Sequence, residues 1–473
     1  MASFTLAAIL AEFVGTFMLV FSVGCNALSK SPPAWAPTSI ACTLMVMVYA
    51  LASVSGAHLN PAVTLASGLA RKCAPSKAFA YIVTQLLAGF AASCAYSALY
   101  QASAPSIGPQ AGFSWWQAAT VEIVYTAMLA FVVLNVTSKR NNSPEEPNQF
   151  YGLAIGFVVV AGGYGGGRIS GAAFNPAIAL SLGASTTSQV WPPTWIYQSL
   201  AYTLYEVLGA VLAATLFRMV RPEDFASSAE FEHYEPALAT RLLSEFLGTF
   251  MLVLTVGLNV LCNSPATAWS AAASLMAMIY ALGDVSGGHF NPAVTLAVTL
   301  SRKSNISFRD LICYWVIQAS AGVLAALLYS SLGPAGATFG LGPKAPYSDR
   351  AAYILEFTFT LVLAFVVLSV ACVKGISTQL SRNHYYGLAI GACVTAGGVA
   401  AGKVSGGLLN PALSLGIRVS HALNGSGPDM KDYVTNYCLT QLLAGLAAWL
   451  LFLSTHAKEY AGPKTDRRLF SQA

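Results

Sequence analysis

Residues 55–66 read SGAHLNPAVTLA and residues 286–297 read SGGHFNPAVTLA, so one short text stands twice in the chain, 231 residues apart. The surrounding sequence repeats with it, AEFVGTFMLV at 11–20 returning as SEFLGTFMLV at 244–253. Inside each copy the tripeptide Asn-Pro-Ala occurs once more, in SGAAFNPAIAL at 170–180 and SGGLLNPALSLG at 405–416. A glutamate inside an apolar run repeats as well: Glu12 and Glu122 in the first copy, Glu245 and Glu356 in the second. The chain is therefore two parallel copies of a unit that is itself a repeat. Its boundary falls near residue 230, in MVRPEDFASSAEFEHYEPAL at 219–238, whose acidic residues and prolines read as a polar linker.

Outward from these motifs the sequence is apolar. Of 473 residues 56% are hydrophobic and 9% charged, and the mean hydropathy is +0.61, which excludes an ordinary soluble globular protein. Stretches near the ~20 residues that cross a bilayer recur at 5–24, 38–54, 77–99, 116–136, 149–165, 194–217, 239–258, 266–283, 308–331, 350–372, 385–400 and 432–454. Twelve spans are predicted. The first lacks a basic leader and contains Glu12, so it reads as a span rather than a cleaved signal.

With the N-terminus in the cytoplasm, seventeen of the twenty-four Lys and Arg residues fall on the cytoplasmic side, among them Arg71, Lys72, Arg221, Arg302, Lys374, Arg382 and Arg467. That placement accounts for the net charge of +5 without a nucleic-acid partner. The nine cysteines form no CxxC pair and no metal-ligand spacing, and read as small packed thiols. No nucleotide loop or hydrolase triad appears, so neither an enzyme nor a cofactor is expected.

Three spans separate the two Asn-Pro-Ala segments of one copy. An odd number of crossings inverts the second relative to the first, the arrangement that places a transport site at the bilayer midplane. Each segment is too short to span and must re-enter and leave on one side, with its backbone lining a cavity or buried in protein. Asparagine is a favoured N-cap and proline a favoured first helical residue. Asn60, Asn175, Asn291 and Asn410 are thus predicted to cap half-helices opened by Pro61-Ala62, Pro176-Ala177, Pro292-Ala293 and Pro411-Ala412, meeting head to head in pairs. Two positive dipole ends then face one point, which suits neutral solutes and opposes cations.

On these motifs the chain resembles two members of the aquaporin, or major intrinsic protein, family joined head to tail, over essentially its whole length. The resemblance implies an all-α polytopic membrane protein of two aquaporin-like bundles, each with six transmembrane helices and two re-entrant NPA half-helices. The pore units are expected at 1–220 and 239–456, with a cytoplasmic linker at 221–238 and a cytoplasmic tail at 457–473. It also implies that Glu12, Glu122, Glu245 and Glu356 support the re-entrant loops, together with His58 and His289, and that Gln85 and Gln318 pack between helices. Gly15, Gly89, Gly248 and Gly322 suit close helix packing.

The sequence departs from the family at the narrow outer ring, where an arginine usually follows the second NPA asparagine by three residues. Here that place holds Ile178 and Leu413. By family spacing the other ring positions are Ile40, Gly163 and Ala172 in the first copy, and Ala271, Gly398 and Gly407 in the second. Both rings are expected to be small, apolar and uncharged, wide enough for solutes larger than water. Glycine at 163 and 398 resembles the glycerol-conducting branch, and the absent arginine the unorthodox branch. Arg168 and Lys403, seven residues before their asparagines, either replace the missing charge or sit at the outer mouth or an interface.

The function expected is passive conduction of water and small neutral solutes such as glycerol through two pores in a lipid bilayer. A secondary transporter is the alternative that twelve spans with inverted repeats also permit, with Asp284 as its extra carboxyl. A closed-pore structural or adhesion protein is the third. The resemblance further implies a homodimer that completes a pseudo-tetramer of pores.

Overall fold

The computed structural model describes residues 5–29, 34–102, 107–143, 147–185, 194–226, 234–304, 306–334, 337, 339–373, 384–424 and 431–460. Within them the chain forms sixteen α-helices: α1 Leu6–Leu28, α2 Ala36–Ser55, α3 Pro61–Leu69, α4 Pro75–Tyr100, α5 Trp115–Val136, α6 Tyr151–Ser170, α7 Pro176–Ser185 and α8 Thr194–Val220, then α9 Leu238–Leu261, α10 Thr267–Ser286, α11 Pro292–Ser301, α12 Phe308–Leu332, α13 Asp349–Ala371, α14 Tyr386–Ala401, α15 Pro411–Leu423 and α16 Lys431–Thr455. The second set of eight repeats the first in order. In each set six helices are long and two, nine to thirteen residues in length, begin at the proline of an Asn-Pro-Ala.

Among the described residues, eleven helices are long and apolar enough to cross a membrane. The twelfth expected span, 385–400, is α14, only 16 residues long. Just past its end, Lys344 Nζ reaches Gly402 O at 3.2 Å and Lys344 N reaches Val404 O at 2.9 Å. The chain is an integral multi-pass membrane protein.

The two sets pack side by side. Helix α10 lies along α6 and α5, and its polar atoms are spent there. Ser270 donates to Ala161 O at 3.0 Å, and beside it Thr255 of α9 shares a hydrogen bond of 3.0 Å with Tyr125 of α5. Asn141 Nδ2 donates to Tyr280 O at 2.8 Å, and the Tyr280 ring stacks on Phe150 at 4.3 Å. Small residues on α10 suit this approach, Ala273, Ala277 and Ala281 all being buried.

The start of the linker is docked rather than solvated. Pro222–Phe225 forms a 3-10 turn in which Arg221 and Glu223 are buried, and Asp224 receives Lys72 Nζ at 2.6 Å and Lys139 N at 3.1 Å. Burial lifts the Glu223 carboxyl above the ordinary carboxylate range, and Arg221 draws it back only in part. Residues 227–233 of the linker and 461–473 of the tail lie outside the described residues, as do Lys374, Arg382, Lys464, Arg467 and Arg468. All nine cysteines are free, and Cys42 and Cys94 are exposed on the surface of their helices rather than packed.

Candidate functional site

The four re-entrant loops share one backbone. The glycine after each Ser has a positive φ of 93° at Gly56, 90° at Gly171, 94° at Gly287 and 102° at Gly406. The next residue is left-handed too, at Ala57, Ala172, Gly288 and Gly407, and so is the apolar residue before each asparagine, at Leu59, Phe174, Phe290 and Leu409. Non-glycine residues enter that region at a cost of order 1–3 kcal/mol and stay there only where surrounding contacts impose it.

Those contacts come from the buried glutamates. Glu12 accepts from His58 N at 2.9 Å, Leu59 N at 2.8 Å, Ser55 Oγ at 2.7 Å and Gln85 Nε2 at 2.8 Å. Glu245 takes the same four donors from His289, Phe290, Ser286 and Gln318, and Glu356 from Leu408, Leu409, Ser405 and Gln441, all within 2.7–2.9 Å. Four donors compensate a carboxylate that would otherwise be prohibitive at such depth. Glu122 receives Ala173 N at 3.1 Å and Phe174 N at 2.9 Å.

Each asparagine then does two things. Its Oδ1 caps the half-helix, accepting from Ala62, Ala177, Ala293 and Ala412 N at 2.8–2.9 Å. Its Nδ2 donates across to the loop facing it: Asn60 to Phe174 O at 2.9 Å, Asn175 to Leu59 O at 3.0 Å, Asn291 to Leu409 O at 2.8 Å and Asn410 to Phe290 O at 2.9 Å. The half-helices therefore meet as reciprocal pairs, α3 with α7 and α11 with α15. An amide carries two N–H donors, so one is committed to the facing loop and one remains.

Each pair sits in a cavity. The first, about 710 Å³, is lined by Asn60, Asn175 and His58 and by all four expected ring positions, Ile40, Gly163, Ala172 and Ile178. The second, about 560 Å³, is lined by Asn291, Asn410 and His289 and by Ala271, Gly398, Gly407 and Leu413. Neither ring carries a charge. His58 and His289 hold Thr64 and Thr295 through Nδ1 at 3.1 and 3.2 Å.

Cations stand at one end of each cavity. Arg168 lines the first and donates from Nη1 to Cys262 O at 3.0 Å, a carbonyl of the other half; Lys344 and Lys403 line the second. Asn263, Ser264 and Pro265 line both. Asp284 faces neither cavity: Arg221 holds both its oxygens at 2.6 Å.

Gly89 and Gly322 are close-packing positions of a particular kind. A methyl group on Gly89 meets Ala177 O at 2.9 Å and one on Gly322 meets Ala412 O, so each glycine lets a span touch the backbone of a half-helix.

One set of partners escapes the motif reading. Tyr81, Tyr202, Tyr314 and Tyr437 donate to the carbonyls of Ser55, Ser170, Ser286 and Ser405 at 2.6–2.9 Å; one turn later stand Gln85, Gln318 and Gln441, which donate to their glutamates, and Glu206, which accepts Asn175 N. The signal is a fourfold text, YIVTQ at 81–85, YTLYE at 202–206, YWVIQ at 314–318 and YCLTQ at 437–441. Among the described residues no group of His, Cys, Asp and Glu is placed to hold a metal ion.

A profile of the family described as Major intrinsic protein matches residues 2–199 and 257–450. A glycerol uptake facilitator protein-like 6 of Lactiplantibacillus plantarum is 30% identical over 46% of this chain and 98% of its own length. Aquaporin AqpM of Methanothermobacter marburgensis is 28% identical over 45% of this chain and 97% of its own. Among solved structures, the aquaglyceroporin from Plasmodium falciparum aligns over 47% of this chain and 99% of its own at 21% identity, with a TM-score of 0.39.

Proposed function

Because this chain belongs to the major intrinsic protein family, we propose that it is a passive membrane channel for water and small neutral solutes such as glycerol, with one pore in each half. The pore units are residues 1–220 and 239–456, joined by the linker at 221–238, with the tail at 457–473 and both termini in the cytoplasm.

The observation that carries this reading is the reciprocal asparagine-to-carbonyl meeting of two half-helices inside each cavity. The spare amide hydrogen of each asparagine offers a donor to a passing hydroxyl or water. Two helix N-termini aimed at that point, each equivalent to roughly half a positive charge, set a barrier to cations. Ile40, Gly163, Ala172 and Ile178 in one pore, and Ala271, Gly398, Gly407 and Leu413 in the other, act as the selectivity rings. Their small apolar side chains admit a polyol carbon chain. The cations at the mouths, Arg168 in one and Lys344 with Lys403 in the other, take over part of the work of the absent ring arginine.

The capture of Asp284 by Arg221 removes the extra carboxyl that a coupled transporter would use. Two chains paired through the outer faces of α1, α2, α13 and α14 would complete a ring of four pores. In support, α10 is buried against the first half while its counterpart α2 exposes Val46, Tyr49 and Val54.

Stopped-flow light scattering of liposomes carrying the purified chain tests the reading. Shrinkage much faster than in empty liposomes, followed by fast re-swelling in glycerol, is the expected result. Rates equal to the empty control would overturn it.

A further inference from the structure

The four glutamate sites are alike except one. In three, an amide one helical turn past the tyrosine donates to the glutamate: Gln85 to Glu12, Gln318 to Glu245 and Gln441 to Glu356. In the fourth the same place holds Glu206, which has no hydrogen to donate while ionised. The hydroxyl four residues after the asparagine is lost with it. Thr64, Thr295 and Ser414 each bond their glutamine, whereas the fourth loop has Ala179.

Glu206 is fully buried, and its oxygens are used unequally. Oε1 accepts Asn175 N at 2.8 Å; Oε2 has no hydrogen-bond partner. Three successive N–H groups, of Ala173, Phe174 and Asn175, are thus shared between two carboxyls, the first two going to Glu122. Glu122 is the charged group that faces Glu206. Around them, α5 adds Tyr125, whose hydroxyl is bonded to Thr255, and α8 adds Tyr202, bonded to Ser170 O, and Tyr205. Helices α3 and α7 carry no titratable side chain. Helix α9 brings Arg241, paired with Asp310, and Glu245, enclosed in its own site. The turn at 222–225 brings Glu223 and Asp224 near Arg218, about 18 Å along α8 at 1.5 Å per residue. On α6, packed against α5, Arg168 turns away to Cys262 O, and among the described residues no positive group acts on Glu206 or Glu122. Two carboxyls in one dry site cannot both ionise without severe repulsion.

We propose that Glu122 and Glu206 together bind one proton beneath Asn175, a proton site in the first half that the second half, with Gln441 in its place, lacks. The proton sits on Glu206 Oε2 and is donated toward Glu122, restoring the contact that glutamine makes elsewhere. Its release leaves two negative charges on one loop. The loop then gives up an N–H contact, and Asn175 loses its hold on Leu59 O. Permeability through the first half is lost as pH rises. This last step rests on the channel reading above; the proton site itself does not.

Infrared spectra of the full chain in liposomes test it through the C=O stretch of a protonated carboxyl. The wild type is expected to show such a band at low pH and lose it as pH rises. Glu206→Gln restores the amide of the three sibling sites and is expected to fold and to lack the band, while Gln441→Glu is expected to gain about a second equivalent. A wild type without the band, or a band unchanged in Glu206→Gln, overturns the proposal. In the same liposomes water permeability should fall by about half with rising pH in the wild type, since two parallel pores add, and stay level in Glu206→Gln. A titrating band with level wild-type permeability overturns the link to the loop. Liposomes as tight as empty ones at every pH count against the channel reading alone, and the infrared result then still decides the proton site.

Discussion

Arg221 and Asp284, 63 residues apart in the chain, meet in a two-pronged ion pair with both N···O distances at 2.6 Å. The guanidinium is fully buried, and it also donates to Asn135 Oδ1 on α5 at 2.9 Å and to Ala281 O at 2.8 Å, so three bonds tie the residue after α8 to α10 and a fourth ties it to α5. It is a clasp between the halves. Removing the arginine strands Asp284 and the nearby Glu223, and loss of one partner of a buried pair costs about 3–5 kcal/mol; the 24% exposure of the Asp284 side chain argues for the lower end. Arg221→Ala is expected to lower the thermal midpoint in detergent markedly, and Arg221→Met with Asp284→Leu to lower it less. Equal losses in the two variants would show that the pair is not the source.

Glu356 tests whether a loop glutamate acts as an acceptor. It takes N–H groups from Leu408 and Leu409 on separate oxygens. In Glu356→Gln the amide nitrogen replaces one oxygen and opposes a backbone donor. A hydrogen bond to a charged group contributes about 1.5–3 kcal/mol, and a loss of that order is expected in denaturant-melt stability. Water flux through the second pore should fall with it. A variant with wild-type stability and flux would remove the loop-support role.

The uncharged rings make a prediction that separates the pores. Ile178→Arg restores a cation to the first ring and Leu413→Arg to the second. Each variant alone is expected to lose about half of the glycerol flux, because two parallel conductances add, and the double variant nearly all of it. If either variant alone abolished the flux, the other half would not be a working pore.

Most of this molecule was legible because the fold is dictated by length and by motif. A half-helix opened by Asn-Pro, such as Asn291-Pro292, leaves little freedom in how it begins, and repetition multiplies the signal. The ring positions, which only the family resemblance implies, line the cavities. What escaped was of two kinds. The tyrosines, with Gln441 and Glu206, sit in apolar helices, where a single Tyr or Gln looks like packing, as Gln85 and Gln318 do in the sequence; only the fourfold comparison of YIVTQ with YTLYE shows Glu206 as the odd member. The docking of Arg221 escaped because charge next to proline and acidic residues reads as a solvated linker. Its partner, Asp284, comes from the other half, and no local pattern connects them.

Arg168 is the last of these long-range placements, and it yields a prediction about ions. Its guanidinium is exposed in the mouth of the first cavity, fixed by the Cys262 carbonyl of the second half. On the channel reading proposed above, a charge held there would repel cations before they reach the apolar ring, and the opposed half-helices would repel them again at the centre. Arg168→Gln should therefore raise proton and cation leak through the first pore while leaving glycerol flux nearly unchanged, since a neutral solute does not feel the charge. The rise is expected to be partial, because Lys344 and Lys403 still guard the second mouth, and larger when all three are replaced. Because exposed charges are screened over about 8–10 Å at physiological salt, the difference between variant and wild type should shrink as ionic strength increases. Proton flux into dye-loaded liposomes under a clamped potential measures this directly; a triple variant as tight as the wild type at low salt would assign the whole barrier to the half-helix pairs.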